Sequence, residues 1–212
     1  MAAQIIPAIL TSSFEDLKRQ IHKIDGLFPY VQIDIMDGQF VQKTSFQEVE
    51  KVKEIGAEIK YELHLMVNDP VAEMKKWADV PNVFRVICHI ESQKDIEKAW
   101  EFAKKINWEF GIAINPDTPS SALDPHLNCI DLAMFMTVYP GRQGAPFQEK
   151  VIPKIREFLA LQNRPKCAID GGITVETILK IHDLPVDIIN VGSALMLSPD
   201  IEKAYRELQS KL

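Results

Sequence analysis

Strand-like and helix-like stretches alternate along the whole chain of 212 residues, and this alternation limits the fold more than any other feature. The apolar run QIIPAIL (4–10) precedes SFEDLKRQIHKI (13–24), where Phe14, Leu17, Ile21 and Ile24 share one helical face. Ser13, with Asp16 three residues on, resembles a capping box with Asp in the usual Glu position. YVQIDI then leads to FQEVEKVKEI, YELHLMV to DPVAEMKKWA, and VFRVICHI to SQKDIEKAWEFAKKI. EFGIAIN leads to the short TPSSAL, LAMFMTV to PFQEKVIPKIREFLAL, KCAID to TVETILKIH, and VDIINV to PDIEKAYRELQSKL. Several strands are near-continuous apolar runs, as strands covered on both faces should be. About eight βα units in this length predict an α/β fold, a closed (β/α)8 TIM barrel, one domain over residues 1–212.

Bulk properties remove several function classes. The net charge of −6 offers no basic field for nucleic acid or anionic membrane. Cys88, Cys129 and Cys167 are odd in number, with no CxxC or CxxH spacing, so neither a zinc finger nor a disulfide framework is expected. The N-terminal MAAQIIPAIL lacks a charged leader region, and its apolar run stops at Thr11. A cytoplasmic protein with no nucleic-acid or membrane partner is the expectation. The oligomeric state stays open, with room for a homo-oligomer.

Barrels of this kind place their chemistry at the C-terminal strand ends. Strand 2 ends with Asp34, Met36 and the turn pair Asp37–Gly38; strand 3 carries His64. Strand 4 ends with His89 and Glu91, strand 5 with Asn115, strand 7 with Asp170. Each alone has a plain structural reading: a loop acid, a core histidine, a turn. His89 and Glu91 read as supporting or structural groups, and His22, His126 and His182 as solvated. Together, two carboxylates and an imidazole delivered to one mouth can hold a divalent cation, and carboxylates also serve as general bases. Gln32 shares the face of Asp34 because strand side chains alternate, while Val31, Ile33 and Ile35 pack outward. The glycines of "DGGI" (Gly171, Gly172) and "VGSAL" (Gly192, followed by Ser193) lie where many barrels bind phosphate, aided by a helix N-terminus. Gly141 and Gly144 of "YPGRQG" could add donors. Met36, Met66 and Met136 fall at strand ends and could form an apolar floor.

These stretches, from "PAILTSSF" through "DIMDGQFV", "LHLMV", "HIES", "GIAINPDTP", "TVYPGRQG" and "AIDGGI" to "VGSAL", resemble the ribulose-phosphate 3-epimerase family over nearly the whole chain. The resemblance implies a (β/α) barrel of the ribulose-phosphate-binding type, interconversion of ribulose 5-phosphate and xylulose 5-phosphate, and one divalent metal (Zn, Mn, Fe, Co or Mg). It implies that Asp34 and Asp170 trade acid and base roles, that Asp34, His64 and Asp170 hold the metal, and that the methionines and final glycines hold the substrate. The chain departs from the family pattern at four places. Gln32 stands for a second metal histidine, and Ala8 for a strand-1 serine. Gln42 and Lys43 replace Pro-Asn, and "GRQG" replaces a glycine-rich loop at Arg142 and Gln143. Gln32 could offer the metal its carbonyl oxygen, a weaker donor than imidazole. An active epimerase, an epimerase with another sugar phosphate, and a metal-free sugar-phosphate binder are the readings this leaves.

Overall fold

The computed structural model describes residues 3–92, 95–141 and 144–212. Eight parallel strands close into a barrel in sequential order. They are β1 (Gln4–Ile9), β2 (Tyr30–Met36), β3 (Lys60–Met66), β4 (Val83–His89), β5 (Glu109–Ile114), β6 (Leu132–Met136), β7 (Lys166–Asp170) and β8 (Ile188–Val191). Outside them lie α1 (Phe14–Ile24), α2 (Val49–Val52), α3 (Pro70–Trp77), α4 (Ile96–Lys105), α5 (Ile152–Leu159), α6 (Val175–Ile178), α7 (Ser193–Met196) and α8 (Ile201–Gln209). Among the described residues no helix is long and apolar enough to cross a membrane.

Local chemistry explains the helix limits. Ser13 caps α1 through the Asp16 N–H, and Asp69 caps α3 through the Ala72 N–H, with Pro70 at the first helical position, where no donor is needed. Some helices are shorter than their apolar patterns predict. The helix expected over 46–55 is only the single turn α2. Its leading residues are held by strand ends instead: the Ser45 N–H donates to Met36 O at 3.1 Å and that of Phe46 to Thr11 O at 3.0 Å. Of the stretch 118–123, only residues 120–123 enter a helical segment, the 3₁₀ turns of Ser120–His126, and 149–151 forms a 3₁₀ turn before α5. After α6 the chain continues in tight i to i+3 turns.

Two cores result. A large apolar layer packs the helices against the outward strand residues, Val31, Ile33 and Ile35 among them. Inside the barrel a smaller apolar cluster comes from Ile6, Ile87, Ala113, Leu132, Met134, Met136, Ala168 and Ile188. Further inward positions are polar and buried: Gln32, Glu62, His64, Arg85, His89, Asp170 and Asn190. Strand register aligns them, pairing Gln32 with Glu62, Asp34 with His64, Glu62 with Arg85, Arg85 with Glu109 and Asp170 with Asn190.

Arg85 is the cation of this interior. Its Nη1 reaches Glu62 at 2.6 Å and its Nε reaches Glu109 at 2.8 Å. A buried pair adds little net stability against an apolar substitute, but removing one partner strands the other's charge. Arg85→Met is therefore expected to destabilise the fold by about 3–5 kcal/mol in urea unfolding. Adding Glu62→Leu should return a substantial part of that loss. A single mutant within about 1 kcal/mol of the parent would show that water already compensates Glu62.

Candidate active site

The C-terminal end of the barrel opens into a cleft. Asp34, His64, Met66, Met136, Gly141, Gly144, Asp170, Gly171, Gly172, Gly192 and Ser193 all line it, together with Ala8, Leu10 and Val138. Met36 does not. It is buried at the end of β2, where residue 45 folds back over it: the Met36 N–H donates to Ser45 Oγ at 3.1 Å. Of the three methionines, Met66 and Met136 reach the cleft, beside the apolar Leu10 and Val138. Gln42 and Lys43 are exposed and outside the lining, and Arg142 and Gln143 lie outside the described residues.

Three ligand-capable atoms converge at the floor. One ligand atom each from Asp34, His64 and Asp170 lies within 4.8 Å of the other two. His64 Nδ1 is 2.8 Å from the Asp34 oxygen and 3.4 Å from that of Asp170. Such separations suit neighbouring ligands about 2.1 Å from one cation, so this tripod fits a divalent metal. Gln32, the fourth expected ligand, does not fit in its present orientation. It turns its Nε2 toward the carboxylates, donating to Asp34 Oδ1 at 3.0 Å and Asp170 Oδ2 at 2.9 Å. An amide nitrogen in that position is a donor with no lone pair for a metal.

His89 and Glu91 support the tripod from behind. His64 Nε2 is 2.9 Å from His89 Nε2, and His89 Nδ1 is 3.2 Å from Glu91 Oε2. Burial, with the neighbouring His64, pushes His89 down to about 4, so its ring is neutral. One consistent hydrogen-bond assignment follows: His64 Nε2–H donates to His89, whose Nδ1–H donates to Glu91. This leaves His64 Nδ1 to face the carboxylates, an orienting arrangement common behind metal-bound histidines. Burial alone would lower His64, but the hydrogen bond and charge of Asp34, with Asp170 and Glu62, raise it. Phe40 covers the pair, its ring centroid 4.8 Å from that of His89. The loop carrying Phe40 is turned by Asp37 and Gly38, and Asp37 Oδ1 accepts from the Phe40 N–H at 2.8 Å.

Thr137 and Asn190 were not singled out from the sequence. Thr137 donates from Oγ1 to Asp170 O at 3.0 Å and from its N–H to the same oxygen at 2.8 Å, clasping β6 to the Asp170–Gly171 turn. Asn190 donates to Gln32. A lone amide inside the apolar run of β8 was the available signal. The turn itself requires glycine: Gly171 has φ +111°, and a Cβ there would collide with Val138.

The profile of the Ribulose-phosphate 3 epimerase family matches residues 4–196. The chain belongs to that family of carbohydrate epimerases. It is 29% identical to the ribulose-phosphate 3-epimerase of Aquifex aeolicus, covering 97% of this chain and 95% of the relative. It is 28% identical to that of Bacillus subtilis, covering 97% and 98%. Among solved structures, KGPDC from Streptococcus mutans shares the fold, with TM-score 0.76, 14% identity and coverage of 99% and 96%. So does 3-hexulose-6-phosphate synthase from Salmonella typhimurium, with TM-score 0.70, 16% identity and coverage of 99% and 98%.

Burial, reinforced by the Asp34 charge, raises Asp170 from 3.8 to about 7. The folded protein thus keeps a proton that the unfolded chain releases. That stabilisation is complete below about 3.8 and is lost as the pH rises through about 7. In chelator-treated protein, Asp170→Asn should gain thermal stability relative to the parent as pH goes from about 4.5 to about 7.5, by roughly 5 °C. A difference in Tm that stays constant with pH would place Asp170 in an ordinary carboxylate environment.

Proposed function

We propose that the chain interconverts ribulose 5-phosphate and xylulose 5-phosphate by proton transfer at carbon 3 between Asp34 and Asp170. The observation that carries this reading is the pair of carboxylates, from β2 and β7, meeting at the floor of one cleft, one of them able to keep its proton near neutrality. The C2 carbonyl acidifies the proton on carbon 3, and its removal leaves an enediolate. One carboxylate takes that proton from one face, and a carboxylic acid returns another from the opposite face, inverting the centre. A group poised near 7 can act in either role, which a reversible reaction requires. Asp170 fills that position and Asp34 is its counterpart.

Asp34, His64 and Asp170 would hold the divalent metal, one of Zn, Mn, Fe, Co or Mg. When bound, the metal supplies Lewis-acid stabilisation of the charge that develops on the substrate oxygens. Gly171, Gly172, Gly192 and Ser193, with Gly141 and Gly144, offer the phosphate their loop N–H groups. Because α6 and α7 are single turns, the loops rather than a long helix dipole do this work. Met66 and Met136 give the sugar an apolar wall that helps keep water from the enediolate. A small sugar phosphate in the cytoplasm, with no nucleic acid or membrane partner, is the setting this reading entails.

With Mn²⁺, Zn²⁺ or Fe²⁺ added, the purified protein is expected to exchange the C3 proton of ribulose 5-phosphate for deuterium in D₂O, followed by NMR. Asp170→Asn should lower the rate by about 10²–10⁴-fold with an unchanged circular dichroism spectrum. Binding of the sugar phosphate without exchange under any of these metals would replace the epimerase with a non-catalytic binder.

A further inference from the structure

The amide of Gln32 sits fully buried between the two carboxylates of the tripod, and its polarity is imposed from below. Its Oε1 accepts from Asn190 Nδ2 at 2.6 Å. The same Asn190 nitrogen donates its other hydrogen to Glu62 Oε1 at 2.8 Å. Glu62, paired through its other oxygen with Arg85 at 2.6 Å, offers Asn190 an acceptor oxygen. Asn190 therefore has to turn its NH₂ downward and sideways. The consequence is visible at its other end: Asn190 Oδ1 is buried with no hydrogen-bond partner. Reversing Asn190 would set its amide oxygen against Glu62 Oε1 and against Gln32 Oε1, two acceptors. Reversing Gln32 alone would set its NH₂ against the NH₂ of Asn190 and its oxygen against two carboxylates. The observed arrangement places a donor opposite Asp34 Oδ1, Asp170 Oδ2, Gln32 Oε1 and Glu62 Oε1, and leaves Asn190 Oδ1 without one.

We propose that Gln32 competes with the cation for Asp34 and Asp170, and that Asn190, set by Glu62, is the positioning residue that holds the amide in the competing orientation. The inference rests on the three-ligand reading of Asp34, His64 and Asp170. The Gln32 NH₂ already occupies Asp34 Oδ1 and Asp170 Oδ2, two of the three tripod atoms. It brings partial positive charge to the place where a cation would enter, and no lone pair. Turned over, the same side chain would present a carbonyl oxygen, the atom that hard divalent cations bind. Asn190 thus lowers the metal affinity of the site without touching the metal position.

The test is calorimetric titration of Mn²⁺ into chelator-treated protein in four forms: parent, Asn190→Leu, Gln32→Met and the double variant. Asn190→Leu removes the lock at near-constant volume and should tighten Mn²⁺ binding by roughly tenfold, within the range by which groups behind metal ligands change affinity. In the Gln32→Met background the same change should have no effect. Parent-like affinity in a folded Asn190→Leu protein, or an equal shift in both backgrounds, would overturn the proposal. Should Asn190→Leu fail to fold, Glu62→Gln, which keeps an acceptor for Arg85 and lets Asn190 turn, is expected to tighten binding in the same direction. The unaltered protein supplies a further readout. The Gln32 side-chain NH₂ resonances should be protected from solvent exchange without metal and should shift on saturation with Zn²⁺; resonances that stay put overturn the competition. Binding of Mn²⁺ by none of the four proteins would overturn the three-ligand reading itself, whereas tight binding indifferent to Asn190 overturns only the competition.

Discussion

Charge buried inside a parallel barrel has to be neutralised by neighbours within hydrogen-bond reach, and in this chain that requirement organises the interior from one end to the other. Arg85 sits between Glu109, which is partly exposed, and Glu62, which is wholly buried. Glu62 passes the constraint to Asn190, Asn190 to Gln32, and Gln32 to the two carboxylates at the mouth. Register sets the links at Arg85, whose partners Glu62 and Glu109 stand beside it on β3 and β5, whereas Asn190 on β8 reaches Glu62 and Gln32 across the barrel interior. The apolar inner cluster fills much of what remains with Ile, Leu, Ala and Met. A polar column running beside an apolar one gives the cleft a rigid, directional floor.

Much of this is legible in the sequence alone. Alternation of apolar runs with helical patterns led to the closed barrel, and strand parity correctly placed Gln32 inward and Val31, Ile33 and Ile35 outward. The strand-end rule collected Asp34, His64 and Asp170. What escaped the sequence depends on contacts between distant segments. The helix expected over 46–55 shrank because backbone groups of residues 45 and 46 found partners on β2 and after β1. Met36, held through its backbone by Ser45, lies outside the cleft lining. Neither contact leaves a trace in local periodicity. Gln32 was recognisable as an amide where imidazole was expected, but which end of the amide faces the carboxylates depends on Glu62, on the neighbouring strand, and on Asn190, near the far end of the chain. Glu62 and Arg85 did carry a signal: charged residues embedded in apolar strands, in phase with His64 and His89.

The histidine pair extends the same logic sideways. A neutral His89 accepts from His64 and donates to Glu91, and Glu91 is itself held by the Asn115 N–H at 2.8 Å and by the Thr118 hydroxyl. Those contacts, with His89, keep Glu91 below its ordinary range despite burial. A fixed anion behind a neutral imidazole sets which nitrogen of His64 points into the cleft. The tripod therefore owes its geometry to β4 and the loop after β5 as much as to the strands that bear it.

Charge balance explains how one pocket can accommodate two states. Without a cation, the Asp34 carboxylate faces a His64 whose affinity for a proton is raised, and Asp170 tends to keep its own proton near neutrality. The donor NH₂ of Gln32 completes a cluster close to neutral overall. A divalent cation bound to the tripod would need His64 Nδ1 without its proton and carboxylate oxygens turned to the ion, its charge met by loss of protons from the cluster. Exchanging one state for the other trades bound protons, and the NH₂ contacts of Gln32, for the metal. Metal occupancy at such a site must fall as the pH drops, because protons and the cation claim the same atoms. An imidazole at position 32 would add a ligand to the metal-bound state. The locked amide instead adds hydrogen bonds to the metal-free one, so a single side chain shifts the balance between them while the acid–base pair stays in place.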